Sequence, residues 1–383
     1  MGSMLLALLC GGIFLVQLDV TVVNVALPTI RTGLDTSASG QQWVVSGYMI
    51  TLAGLLLVCG ALGDRIGHRR SVLAGLMVFG CASLVCGIAP NIELLVAARA
   101  LQGVGAALLL PGTLAVITGQ YVDSAARARA VGIWAGAGAL ALVAGPILGG
   151  VLVSGFSWRA VFLINLPIIA LVLPMAWRMV PRRRTDRREA HVRLRIGPAL
   201  VGANVVSGLM NLVGLGTLLA LTLYLQEHLD QSALRSGLEL LPVLLPLAVL
   251  GPVSGRITAR YGSRLPMSFG LALGAIGSFC LLVVRPDSRY GAVIPVEICL
   301  GIGMGLLTAA VVHAAIAALP PDRAGLASGV NNTARQAVGA AGVALYSAVL
   351  SHSATFTAGL HTLAWVGGGL WVVTLGITWL TVD

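Results

Sequence analysis

The sequence contains no lysine; all 24 of its basic residues are arginine. A phosphate-binding loop of the form G-x-x-x-x-G-K-[ST] is therefore impossible, so ATP-driven transport by this chain alone is unsupported. Charged residues of either sign are scarce at 10%, against about 25% in a water-soluble domain. That scarcity excludes an ordinary cytosolic enzyme. Aromatic residues are also few, at 5%. The six cysteines (Cys10, Cys59, Cys81, Cys86, Cys280 and Cys299) form no C-x-x-C pair, and all lie in or beside apolar runs. They read as small apolar side chains rather than metal ligands or disulfides. No metal-ligand cluster or nucleophile–base pattern stands out. The expectation is a non-enzyme without metal or organic cofactor.

What is present is apolar: 57% of the 383 residues are hydrophobic, and 49 are glycine. A spanning helix needs about 20 residues, and small residues let such helices approach closely. Twelve apolar segments can be marked, near 4–30, 42–62, 71–89, 93–118, 130–153, 161–179, 198–225, 236–256, 265–284, 290–316, 326–350 and 361–381. The first lacks a basic leader and carries Asp19, so it reads as a retained span rather than a cleaved signal peptide. The expected fold class is an all-α integral membrane protein.

The net charge of +10 does not mark a nucleic-acid surface, because the arginines sit in short clusters between apolar runs. Seventeen fall in or beside the loops after spans 2, 4, 6, 8 and 10, five in the opposite loops, and two (Arg99 and Arg335) inside spans. The positive-inside rule then places both termini in the cytoplasm of a multi-pass protein of the cell membrane. The arginine-only basic set, with abundant Ala, Gly and Leu, fits a GC-rich bacterial genome. The stretch PRRRTDRREAHVRLR is the most polar in the chain. It reads as a solvated linker, 181–197, between a half at 1–180 and a half at 198–383, with anionic lipid headgroups as secondary contacts.

The halves repeat each other. Gly60, Arg65, Gly67 and Arg69 recur at a constant offset of 195 as Gly255, Arg260, Gly262 and Arg264, with Asp64 replaced by Ala259. A parallel duplication of six spans is one of the transporter architectures. The first copy, with Gly60, Leu62, Gly63, Asp64, Arg65, Gly67, His68, Arg69, Arg70 and Leu73, resembles the major facilitator hallmark G-x-L-a-D-r-x-G-r-r-x-x-L. A small-residue turn brings two helices close. Asp64 is placed to accept hydrogen bonds from a helix N-terminus or to pair with an arginine. Such a loop works as a conformational gate.

Span 1 carries Leu18-Asp19-Val20-Thr21-Val22-Val23-Asn24-Val25-Ala26-Leu27-Pro28. This resembles the L-D-x-T-V-V-N-V-A-L-P motif of drug/proton antiporters of the EmrB/QacA type. An acid within the membrane is costly and marks a functional site. Asp19 and Thr21 point apart on a helix, so Thr21 and Asn24 are either cavity residues or helix–helix contacts. Arg99-Ala100-Leu101-Gln102-Gly103-Val104-Gly105 in span 4 resembles the same family's R-x-x-Q-G-x-G. Arg99 and Gln102, three apart, share one face, and the guanidinium does not release its proton. The resemblance implies proton coupling for Asp19 and Arg99; an arginine reaching an interface is the alternative for Arg99.

Ala141 to Gly150 in span 5 resembles the antiporter motif G-x-x-x-G-P-x-x-G-G. Pro146 removes a backbone donor while Gly145, Gly149 and Gly150 admit a neighbouring helix, which suits a hinge. Trp158-Arg159, Phe162, Ile164, Asn165 and Pro167 resemble the entry to span 6, W-R-x-x-F-x-I-N-x-P. Substrate-cavity candidates are Thr21, Asn24, Gln102, Glu297 and Arg335. Glu297 also reads as a second protonation or cation site, or as a headgroup-level acid.

The resemblance covers nearly the whole chain, but EmrB/QacA-type antiporters typically have fourteen spans. Two central ones are missing here. The resemblance implies a major facilitator fold and efflux of a small organic compound (a drug, antibiotic or toxic metabolite), driven by the proton motive force and carried out by a monomer. Its partners would be that small molecule, protons and lipid, with no nucleic acid. A solute importer or symporter, and a shortened relative that only binds a ligand or partner, are the alternatives.

Overall fold

The computed structural model describes residues 2–121, 123–181, 197–231, 233–320 and 323–382. Most of the predicted linker, 182–196, lies outside them. Among the described residues the protein is helical, with no strand. The helices are α1 (Gly2–Gly33), α2 (Ala38–Ile66), α3 (His68–Ile88), α4 (Ile92–Gln120), α5 (Ser124–Gly155), α6 (Ala160–Leu163) and α7 (Asn165–Met179). They continue as α8 (Pro198–Leu223), α9 (Ala233–Glu239), α10 (Leu241–Tyr261), α11 (Arg264–Cys280), α12 (Ile294–Ala317), α13 (Ala324–His352) and α14 (Phe356–Thr381).

Helix starts follow local chemistry. Ser37, Asn91 and Thr355 each accept a hydrogen bond from a first-turn amide, capping α2, α4 and α14. Proline occupies the first turn of α8, α10 and α12, where its missing N–H costs no hydrogen bond.

Among the described residues, eleven helices, counting α6 and α7 as one segment, are long and apolar enough to cross a membrane. The remaining expected span, 326–350, is α13. Its 29 residues suffice in length, but Asn331, Asn332, Thr333, Arg335 and Gln336 make it more polar than the others.

Two of the predicted spans are interrupted. The expected span 161–179 breaks between α6 and α7, because Pro167 has no N–H to donate to the Leu163 carbonyl. The expected span 236–256 is displaced: α9 ends at Glu239 and a new helix runs over Leu241–Tyr261 with Pro242 in its first turn. Hydropathy alone is blind to that restart.

The chain forms two compact units. Unit 1 comprises Met1–Val122, Ala137–Arg195 and Leu319–Thr333; unit 2 comprises Asp123–Gly136, Ile196–Ala318 and Ala334–Asp383. In unit 1, α4 packs against both α2 and α3, and in unit 2 α12 packs against both α10 and α11. The repeat is visible inside each unit. Gly67, between α2 and α3, has φ 93°, and Gly262, between α10 and α11, has φ 80°, a region that favours glycine. Arg69 donates to the Trp177 carbonyl at the end of α7 and stacks 4.8 Å from that indole. Arg264 does the same to Trp379 at the end of α14, at 4.4 Å. In each unit an arginine after the repeated glycine closes the exposed carbonyls of a helix end.

Candidate functional site

The buried polar residues of unit 1 converge on Asp19, in the middle of α1. Asp19 is 0% exposed and Arg99, on α4, 1%. One guanidinium nitrogen of Arg99 donates to Asp19 Oδ2 at 2.5 Å and to Gln102 Oε1 at 2.8 Å, while its Nε donates to the Val44 carbonyl of α2 at 3.0 Å. The guanidinium carbon lies 4.3 Å from the Tyr48 ring centroid. Arg99 is thus held by an anion, an amide oxygen, a carbonyl and an aromatic face. It does not reach toward a surface.

Asp19 Oδ1 accepts two further hydrogen bonds, from Gln102 Nε2 at 3.0 Å and from Asn165 Nδ2, at the start of α7, at 3.1 Å. Both amides also donate to Ser83 Oγ on α3, at 2.7 and 3.2 Å. Three donors thus meet on one carboxyl group, whose two oxygens accept from all of them. Burying two opposite charges is tolerable when geometry is close and the other lone pairs are bonded. Here α2, α3, α4 and α7 supply those partners.

A proton delivered to Asp19 would remove the counter-charge of an arginine that keeps its own proton. The freed donors of Arg99, Gln102 and Asn165 would then need new acceptors.

The other predicted residues are placed as follows. Thr21 turns its hydroxyl to the Gln17 and Leu18 carbonyls of its own helix, at 3.3 and 3.2 Å. It also packs on Gly145: a Cβ there would come within 1.8 Å of Thr21 Oγ1. Gly149 lies against Val22 and Val25, while nothing lies within 4 Å of a Cβ built on Gly150. Pro146 lies within an unbroken α5. Asn24 is exposed. Arg335 is half-buried, with its Nε lacking a hydrogen-bond partner among the described residues. Glu297 is buried in unit 2, apart from the Asp19 cluster.

Within the predicted gate, Asp64 accepts from the backbone N–H of Gly325 at 2.9 Å and of Leu326 at 2.7 Å. These are first-turn amides of α13, whose partial positive charge suits a carboxylate. His68 Nε2 lies 3.2 Å from the same acid. Gly60 admits this contact, since its Cβ would fall 2.4 Å from the Gly325 carbonyl oxygen. Gly63 faces the His68 ring, Arg69 is used on Trp177, and Arg65 and Arg70 are exposed.

Sequence reasoning did not include Ser83, Asn165 or Tyr48 in the site. Asn165 stood in a quoted motif without a role. Ser83 and Tyr48 carried no signal beyond being polar residues in apolar runs.

The Major Facilitator Superfamily family model matches residues 9–343. A methylenomycin A resistance protein of Streptomyces coelicolor is 31% identical, covering 94% of this chain and 90% of that protein. The match runs over 426 aligned positions, more than the 383 residues here, so that relative carries residues with no counterpart in this chain. A cephamycin export protein of Amycolatopsis lactamdurans is 33% identical, covering 89% of this chain and 83% of that protein. A puromycin resistance protein of Streptomyces alboniger is 32% identical, covering 90% and 81% respectively. The fold is similar to that of the proton:xylose symporter XylE, with a TM-score of 0.80, 15% identity, and coverage of 99% of this chain and 95% of that one.

Proposed function

The chain belongs to the major facilitator superfamily, a family of membrane transporters rather than enzymes, and from that premise we propose that it exports a small organic compound in exchange for protons by alternating access. The observation that carries the proposal is the buried Asp19–Arg99 pair, with donors from Arg99, Gln102 and Asn165 all meeting one carboxyl group. Relatives named for antibiotic resistance or export support the direction of transport and the substrate class. The proton motive force is the energy source, and the membrane potential contributes about 2.3 kcal/mol per charge per 100 mV.

In this reading a proton reaching Asp19 releases Arg99, Gln102 and Asn165 from it, and the rearrangement of α1 and α4 alters the substrate site. Gln102 conveys the change, and Thr21, Asn24 and Arg335 are candidate substrate contacts. Asp64 on the α13 amides holds one state of the cycle, and Gly145 to Gly150 permits α5 to move on α1. The organisation is two six-helix halves, 1–180 and 198–383, acting as a monomer in the cell membrane with both termini cytoplasmic; the arginine asymmetry supports that orientation. Cells expressing the chain should expel puromycin or lipophilic dyes, and a protonophore should stop them. Efflux that ignores the protonophore would refute proton coupling.

A further inference from the structure

Unit 2 buries an acid of its own. Glu297 stands in the first turn of α12 and is 0% exposed. Its Oε1 has no hydrogen-bond partner among the described residues. Its Oε2 lies 3.3 Å from the hydroxyl oxygen of Tyr290, in the short turn Tyr290–Ala292 just before the helix. The same hydroxyl lies 2.8 Å from the backbone carbonyl oxygen of Glu239.

A phenol has one hydrogen to give, and a carbonyl oxygen only accepts. The shorter contact therefore takes the Tyr290 hydrogen. The contact to Glu297 is then a hydrogen bond only when Glu297 supplies the hydrogen, as a carboxylic acid. The charge balance points the same way. A buried carboxylate without a cation is costly, and none of the ion pairs among the described residues includes Glu297.

Two ionisable groups act on Glu297: Tyr290 by contact and Glu239 by like charge. Glu239 is itself paired through Oε1 with Arg235 at 3.0 Å. Of the helices packed on α12, α8 carries no ionisable side chain, and α10 carries Arg256, Arg260 and Tyr261 at its far end. On α11, Arg264 is at the far end and Cys280 at the near one; on α12 itself, Cys299 is near and His313 is remote. Glu227 and His228 follow α8.

Tyr290 has a second face. With Asp230, Gln231, Arg235 and Arg289 it lines an open cavity of about 570 Å³. Tyr290 thus both lines the cavity and touches the buried acid. We propose that Glu297 is a proton-binding site of unit 2, separate from Asp19, that exchanges its proton with the cavity through the Tyr290 hydroxyl. In release, the Glu297 O–H bond breaks as a new O–H bond forms on Tyr290. The original Tyr290 O–H bond, once turned from the Glu239 carbonyl to a cavity water, breaks as its proton passes to that water, and the hydroxyl is regenerated. Loading is the reverse. Burial, the largest cause, pushes Tyr290 up to about 12, so it stays a neutral hydroxyl at neutral pH. The chain would thus hold one exchangeable proton site in each unit.

The test does not depend on transport or on Asp19. Infrared spectra of the purified chain in lipid nanodiscs at neutral pH should contain a carboxylic-acid C=O band. Glu297→Gln, which keeps the side-chain shape, should remove it, and Asp19→Asn should leave it. Tyr290→Phe should shift the band and slow its deuterium exchange at least tenfold. A spectrum unchanged by Glu297→Gln would overturn the proposal. If that variant does not fold, Tyr290→Phe decides: an unshifted band with unchanged exchange overturns it.

Discussion

Arg99 lies 2.5 Å from Asp19 across the α4–α1 contact, with both residues closed off from solvent. The pair is the only place among the described residues where a fully buried arginine meets a fully buried acid. Removing one partner leaves the other charged and stranded, which costs about 3–5 kcal/mol. Arg99→Ala should therefore lower thermal stability in detergent by that order, and Asp19→Asn by less, because an amide still accepts and donates within the cluster. The double variant Asp19→Asn/Arg99→Gln should be more stable than Arg99→Ala alone. Equal melting of all three would show that the pair carries no coupling energy.

Asn165 and Ser83 orient the acceptors and donors around Asp19. Asn165→Leu removes a donor from Oδ1 and leaves an apolar side chain against the carboxyl group. Export should fall at least tenfold, with a shift in its pH profile. Ser83→Ala removes only the hydroxyl to which both amides donate, and a smaller loss, two- to fivefold, is expected. Efflux rates measured across a pH series check both.

Gly145 and Thr21 touch so closely that any Cβ at 145 must displace the threonine. Gly145→Ala should impair export several-fold with little loss of expression, and Thr21→Gly, which removes both the hydroxyl and the Cβ that would clash, should restore part of it. Failure of the second change to rescue the first would place the Gly145 requirement elsewhere.

Asp64 caps α13 through two amides. Asp64→Ala should raise hydrogen exchange at Gly325 and Leu326, and cost about 1 kcal/mol of local stability. Asp64→Asn should lie between alanine and wild type, since it keeps an acceptor but loses the charge. Unchanged exchange in the alanine variant would show that the cap is not formed in the membrane.

Much of this was legible in the residues themselves. An acid in an apolar run must have a partner, and Arg99 with Gln102 three residues later presents two on one helical face. The offset of 195 between Gly67 and Gly262 marked two chain reversals of the same geometry. Ser83 and Asn165 were not legible as site residues, because they meet from α3 and α7, 82 positions apart. No helical periodicity links such distant positions. The restart of α10 was hidden for a different reason: the apolar run is continuous through Pro242, so only the missing N–H marks the new helix.

In the proposed transport cycle, protonation at Asp19 is tied to substrate movement. The most direct measurement is gradient-driven flux in proteoliposomes containing the purified chain, using puromycin and a lipophilic dye as probes. An imposed pH gradient should drive the probe uphill in the wild type, with protons moving in the opposite sense. In Asp19→Asn the uphill movement should vanish while probe exchange at equal pH persists. Uphill transport that survives Asp19→Asn, or that runs without the gradient, would contradict the account.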